Sequence, residues 1–164
     1  MTVRSTIERI GNQALWLDRH GDLIQILVLQ NYLFFGNASS CKHYIESMFE
    51  EPEVPPDFPL PPIPKFIVLD FAIVTGIDTS TVDVFNDIIE MCNSNGCAVY
   101  LSGLSPTIKS VLAFGGVKPG FNTDSIMSNG IRPSTKKLAF FPNMESALGK
   151  CLIFCSIMKV CLIN

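Results

Sequence analysis

Charge of either sign is sparse in this chain: 16% of its 164 residues are charged, against 48% that are hydrophobic. Disordered segments show the opposite balance, so a well-filled core is expected, in one domain. Basic residues are not in excess either, with 12 against 15 acidic and a net charge of −3. Phosphate contacts dominate nucleic-acid affinity, which argues against a general nucleic-acid binder. Two histidines, His20 and His43, are too few for a three-histidine metal site. Long hydrophobic runs are missing as well. The most apolar stretch, Ala147 to Ile163, is interrupted by Lys150 and Lys159. It falls short of the ~20 residues that a spanning helix needs. It reads as a tail helix docked on the core, and no membrane span is expected in the chain. No secretory leader is expected, because Met1 to Gln13 is polar and of mixed charge.

Catalytic signatures are also lacking. There is no phosphate-binding glycine loop closed by Lys-Ser/Thr and no Gly-x-Ser-x-Gly. Gly115-Gly116 follows a helical segment instead of preceding one, so it terminates a helix. Asp70 and Asp78 are candidate paired carboxylates, but no base, nucleophile or metal set accompanies them. The chain is therefore not expected to be an enzyme, and no cofactor or metal is expected. Six cysteines are present: Cys41, Cys92, Cys97, Cys151, Cys155 and Cys161. They sit inside apolar segments, where free cysteine behaves as a small buried hydrophobe. Reduced core thiols and a cytosolic compartment follow. Their spacings do not form a zinc-ribbon pattern.

What is present alternates between strand and helix signals. Leu15–Leu17 and Leu23–Leu29, separated by a segment containing Gly21, predict a β-hairpin. The second run is apolar on both faces, as in a covered α/β sheet. Tyr32–Phe35 continues extended and Gly36-Asn37 breaks it. A first helix is predicted over Ala38–Phe49, with Asn37 as N-cap and a buried stripe of Ala38, Cys41, Ile45, Met48 and Phe49. Residues 51–64 are dense in proline and predict an extended insertion, because proline fixes φ and removes the amide donor. Phe66–Phe71 predicts a strand, and Ile73–Asp78 a loop. A second helix runs from about Thr79 to Asn95, its buried stripe Val82, Phe85, Ile88, Ile89 and Cys92, closed by a left-handed Gly96. Cys97–Leu101 is a third core strand. Ser105 and Pro106 open a third helix as N-cap and first helical residue. Residues 118–137 read as a long surface loop, Leu138–Phe141 as a last strand, and Ser146 to about Ile157 as a closing helix. The order predicts an α/β fold: a mixed, largely parallel sheet with about four packed helices, in one domain over 1–164 with its core at about 14–154.

The informative segment is Leu69-Asp70-Phe71-Ala72-Ile73-Val74-Thr75-Gly76-Ile77-Asp78-Thr79-Ser80. A buried strand leads through a short connection to a helix opened by an acid and two hydroxyl residues. Asp78 or Thr79 can accept hydrogen bonds from the helix's free amides, and a carboxylate there meets the positive end of the dipole. Capping alone explains any one of these residues.

The whole run resembles the STAS domain, found in sulfate-permease-type anion transporters and in bacterial anti-sigma factor antagonists. Leu29-Gln30-Asn31-Tyr32-Leu33-Phe34-Phe35-Gly36-Asn37-Ala38 is similar to a run in many STAS domains attached to sulfate permeases. Val3-Arg4-Ser5 and Arg9 resemble the segment that leads into that domain from the last membrane helix. Asn31 stands where many relatives carry glycine, a difference expected to alter the turn locally. The resemblance covers about residues 3–116, weakens over 118–137 and resumes at Leu138–Leu148. It implies the anti-sigma factor antagonist-like fold and a non-catalytic regulatory, protein-interaction role at the cytoplasmic face of a membrane. The implied partner is the transmembrane domain of a parent transporter or a regulatory protein. The alternatives are a free-standing antagonist-type phosphoswitch and a nucleotide- or anion-sensing module with weak nucleotide binding at the amide-rich start of the second helix. In the antagonist branch the hydroxyl residue after Ile/Met-Asp is the phosphorylated switch. That position is Thr79, with Ser80 the second hydroxyl. Asp78, Thr79 and Ser80 form the expected anion or partner surface.

Overall fold

The computed structural model describes residues 21–50, 62–120 and 137–161, with side chains described as far as residue 153. A 3-10 turn at Gly21–Leu23 leads into strand β1, Ile24–Leu33. Then follow helix α1 (Phe35–Ser47), β2 (Phe66–Ile77), α2 (Thr79–Ser94), β3 (Ala98–Ser102), α3 (Pro106–Phe114), β4 (Leu138–Phe141) and α4 (Met144–Cys161). The four strands lie in sequence order, and every neighbouring pair is parallel. Each crossover carries a helix, as parallel pairing requires.

Alternation along the strands divides the core. Ile67, Leu69, Val99 and Leu101 face one layer, with Ala38 and Ile45 of α1, the buried stripe of α2, and Ile108 and Leu112 of α3. Phe66, Val68, Ala98 and Tyr100 face the other, where Ala147, Leu148 and Cys151 of α4 cover them. Aromatic pairs lock both layers. The rings of Phe71 and Phe85 lie 5.5 Å apart in the first. Those of Tyr100 and Phe141 lie 5.0 Å apart in the second. Each such pair adds roughly 0.5–1.5 kcal/mol beyond its buried area.

Local signals set the ends of α2 and α3. The predicted stripe of α2 is buried throughout, with Thr81 and Val84 added to it. Gly96 closes α2 at φ +71, the left-handed region where a side chain is strained. Ser105 Oγ accepts from the Ile108 N–H at 3.3 Å, with Pro106 beside it at the helix start. Strand β3 begins one residue later than predicted, at Ala98, and β4 spans the predicted residues. Helix α4 starts at Met144, two residues before the predicted Ser146, because Asn143 Oδ1 accepts from the Ser146 N–H at 2.8 Å and so caps it. Cys41, Cys92 and Cys97 are free thiols. Burial pushes the Cys41 thiol up to about 11. The neighbouring Cys97 thiol, and then burial, push that of Cys92 far up.

Two predictions fail at the same place. Ile73–Ile77 is not a loop: it continues β2, pairing with Gln30–Leu33 of β1. Helix α1 begins at Phe35, not Ala38, so Gly36 and Asn37 lie in its first turn and Asn37 is not the N-cap. Phe34 holds that position, and Asn37 instead reaches back. Its Oδ1 accepts from the Phe34 N–H at 2.8 Å and its Nδ2 donates to the Tyr32 carbonyl at 2.9 Å. The missed strand has a clear cause. The pairing between β1 and β2 passes two register shifts, at Val28/Gln30 and Asn31/Tyr32. Neither segment shows strict alternation across such shifts. Asn31 sits at the second shift with φ +64. Asparagine tolerates this region better than most side chains, so it serves where glycine would. The predicted first arm of the hairpin (Leu15–Leu17), nearly all of the 51–64 insertion and most of the 118–137 loop lie outside the described residues.

Candidate functional site

The long β2 delivers its last residues to the start of α2. The Asp78 N–H donates to the Leu33 carbonyl at 2.9 Å. Thr81 Oγ1, buried one turn on, donates to the same carbonyl at 3.4 Å. Thr81 thus ties the helix start to the end of β1. Its only signal in the sequence is a hydroxyl within an otherwise apolar stripe.

Asp78 is the N-cap. Its Oδ1 accepts from the Ser80 N–H at 3.0 Å and from the Thr79 hydroxyl at 3.4 Å. The Ser80 backbone amide, followed by the Ser80 and Thr79 hydroxyls, holds the Asp78 carboxyl below the usual carboxylate range. Thr79 is therefore the first helical residue and not the cap, and both Thr79 and Ser80 are exposed. Asp83 lies one turn beyond Thr79 on the same exposed face. Helix α2 carries Asp83, Asp87 and Glu90 and no lysine or arginine. Lys42 of α1 pairs with Asp87 at 2.7 Å. Among the described residues neither Asp78 nor Asp83 has a cation partner.

Asp70 does not join this group. It sits in β2 eight positions earlier, roughly 25 Å away at the rise of a strand. It is buried, and Ser102 Oγ donates to its Oδ1 at 2.7 Å. The candidate carboxylate pair is thus not assembled. Among the described residues, no three His, Cys, Asp or Glu side chains are grouped to hold a metal ion.

Three aromatic residues where β1 passes into α1 are exposed. Tyr32, Phe34 and Phe35 are 54%, 53% and 59% exposed. In sequence they lie on either side of Leu33, whose carbonyl receives Asp78 and Thr81, and Tyr32 pairs with Gly76. Two of the rings rest on glycines. A Cβ on Gly76 would meet the Tyr32 ring at 2.7 Å, and one on Gly36 the Phe34 ring at 2.8 Å. The aromatic run was legible in the sequence, but its exposure was not, because aromatics are commonly buried.

The model of the STAS domain family matches residues 17–130. No curated protein matches by sequence. Among solved structures, the STAS domain of a SulP transporter from Vibrio cholerae is similar, with a TM-score of 0.56 and 16% identity over 90% of this chain and 99% of that one. The anti-sigma factor antagonist SpoIIAA, in its unphosphorylated form, gives a TM-score of 0.53 at 14% identity, over 77% of this chain and 85% of that one. SLC26A9 gives 0.55 at 17% identity, over 84% of this chain and 21% of the longer one. Likeness at such identities shows a common fold. No helix among the described residues is long and apolar enough to cross a membrane.

Proposed function

Because the chain belongs to the STAS domain family, we propose that it is a non-catalytic regulatory and protein-interaction domain of a sulfate-permease-like anion transporter. It works at the cytoplasmic face of the membrane, and its partner is the transmembrane domain of the parent transporter. The support is the fold shared with a SulP STAS domain and with one part of the much longer SLC26A9 chain. The surface that acts is the start of α2, Asp78-Thr79-Ser80. The observation that carries this reading is that both hydroxyl residues are exposed at an anchored helix start, while capping is done by Asp78. Thr79 is thus free to be modified without removal of the cap.

A phosphate on Thr79 adds roughly −1.5 to −2 charge at pH 7. The helix dipole and free amides favour that charge, and Asp78 beside it opposes it. The terms partly cancel, so the fold survives while the partner meets a much more anionic rim. Thr79→Asp is expected to change stability by less than about 1 kcal/mol and to change binding of the transmembrane domain. The test is co-purification and titration of that domain with wild type and Thr79→Asp, alongside thermal melts. Unchanged binding with a large loss of stability would leave Thr79 a structural residue only.

The likeness to SpoIIAA favours a second reading, a free-standing antagonist-type switch. Apolar spans in the same reading frame upstream of Met1 would decide for the transporter. Specific phosphorylation of the isolated chain by a partner kinase would decide for the switch.

A further inference from the structure

Two helices of this fold end in the same way. At the end of α2 the Cys97 N–H donates to the Cys92 carbonyl at 2.8 Å and the Gly96 N–H to the Asn93 carbonyl at 3.0 Å, with Gly96 at φ +71. At the end of α3 the Val117 N–H donates to the Leu112 carbonyl at 2.9 Å and the Gly116 N–H to the Ala113 carbonyl at 3.3 Å, with Gly116 at φ +92. Each is a Schellman motif, in which the chain folds back over the last turn and brings its outermost two residues together. In α3 those two positions hold an ordinary apolar pair, Leu112 and Val117, both buried. In α2 they hold two cysteines, also buried.

The motif meets the demands of a disulfide. A bridge needs Cα atoms roughly 4.4–6.8 Å apart and converging side chains. The 2.8 Å bond between Cys97 and Cys92, with ordinary backbone bond lengths on either side, limits their Cα separation to about 6.7 Å. The side chains converge as well, since the Cys97 thiol is the hydrogen-bonding neighbour of the Cys92 thiol. Leu112 and Val117 stand in the same backbone relation and can only pack. Between the cysteines, Ser94, Asn95 and Gly96 are exposed. Burial and the neighbouring thiol keep Cys92 protonated while the helix end is closed. The thiolate is the reactive form, so reaction waits for the helix end to open, which is a local and low-cost event.

We propose that Cys92 and Cys97 form a reversible oxidation site, in which a small disulfide such as oxidised glutathione converts the two thiols into one intrachain disulfide. One cysteine thiolate attacks the small disulfide, forms a mixed disulfide and expels one small thiolate. The other cysteine attacks the protein sulfur of that mixed disulfide and expels the second. The two protein thiols lose two electrons, the small disulfide gains them, and the two protons end on the released thiols. The bridge joins the end of α2 covalently to the start of β3. Asn93 lies within the bridged turn and its Oδ1 accepts from the Lys137 N–H at 2.9 Å, so the approach to β4 is held from the same turn. The site is at the opposite end of α2 from Asp78-Thr79-Ser80 and does not depend on the reading of that surface.

The test equilibrates the full chain in buffers of graded oxidised-to-reduced glutathione ratio, followed by acid quenching, differential thiol labelling and mass spectrometry. Cys92 and Cys97 are expected to oxidise together with one midpoint, at a ratio at least about tenfold lower than any other cysteine pair needs. The intact mass should fall by two hydrogens without gaining glutathione, and dithiothreitol should restore it. The bridged form should melt several degrees higher, because the bridge restrains the unfolded chain. Cys97→Ala should abolish both the bridge and the shift, and the mapping on wild type stands by itself if that variant folds poorly. Independent oxidation of the two cysteines, glutathione retained on either, a bridge to another cysteine, a lower melting point on bridging, or thiols that stay reduced in oxidised glutathione alone each overturns the proposal.

Discussion

The two halves of β2 live in different surroundings. Phe66 to Asp70 has a strand on both edges, and Phe66 to Phe71 is buried at every position. Ala72 to Ile77 has β1 on one edge, while the pairing with β3 ends at Asp70 and Ser102. In this second half Val74 is buried and Ala72, Ile73 and Thr75 are exposed. The first half is held by packing on two faces. The second is held by one neighbouring strand, a bulge and the anchoring of α2. The contrast teaches that one end of this strand is held by packing and the other by local anchoring, so side-chain changes at the outer end are tolerated that the inner end refuses.

Phe85→Ala attacks the packed end through the ring on Phe71, and it should cost about 3–5 kcal/mol in denaturant unfolding. A loss below about 1 kcal/mol would break the contrast at once, because it would place Phe85 outside a tight core. Two glycines that meet the outer half of β2 sharpen it. A Cβ on Gly103 would lie 2.8 Å from the Ala72 nitrogen, backbone that cannot move aside, at φ +67. Gly103→Ala should therefore cost more than about 1 kcal/mol. Gly76→Ala meets only the exposed Tyr32 ring, which can swing away. It should stay within about 1 kcal/mol while loosening the aromatic rim, as paired thermal melts and Tyr32 mobility by NMR would show.

A smaller effect concerns acid. The Asp78 carboxyl is held below its ordinary value of 3.8 by Ser80 and Thr79. Its contribution to stability is therefore complete above that ordinary value and is lost as pH falls through the lower folded value. Melts of wild type and Asp78→Ala should differ at neutral pH and converge in strong acid. A difference that grew on acidification would contradict the cap. The smallest expected change is Asp87→Ala. It breaks a solvent-exposed pair with Lys42 and should stay within about 0.5 kcal/mol in urea unfolding.

How far the sequence could be read followed the range of the interaction involved. The stripe of α2, the Ser105-Pro106 start of α3 and the Gly96 stop were all legible, because a cap or a terminator acts within a few residues. Asp78 and Thr79 were both admissible caps from composition. Only the three-dimensional geometry, with the Ser80 amide on Asp78, separated them. Asn37 shows the limit from the other side. Asparagine just before an apolar stripe is the ordinary sign of an N-cap, yet here it sits inside the helix and braces Phe34 and Tyr32 from there.

By itself the sequence determined the class of fold, the alternation of strands with helices, the family, and the position of the acid and hydroxyl residues at the start of α2. Apolar periodicity, capping residues and one motif carry that information along the chain. The tertiary structure alone decided that β2 runs on to Ile77, that α1 begins at Phe35, that Asp70 pairs with Ser102 and not with Asp78, and that Tyr32, Phe34 and Phe35 face outward. The Asp70–Ser102 contact depends on the pairing of β2 with β3, and the course of β2 to Ile77 on the pairing of β1 with β2 across two register shifts, between residues about forty positions apart in sequence. A register slip of one residue exchanges the two faces of a strand, so which side chains are buried is settled only when the partner strand is in place.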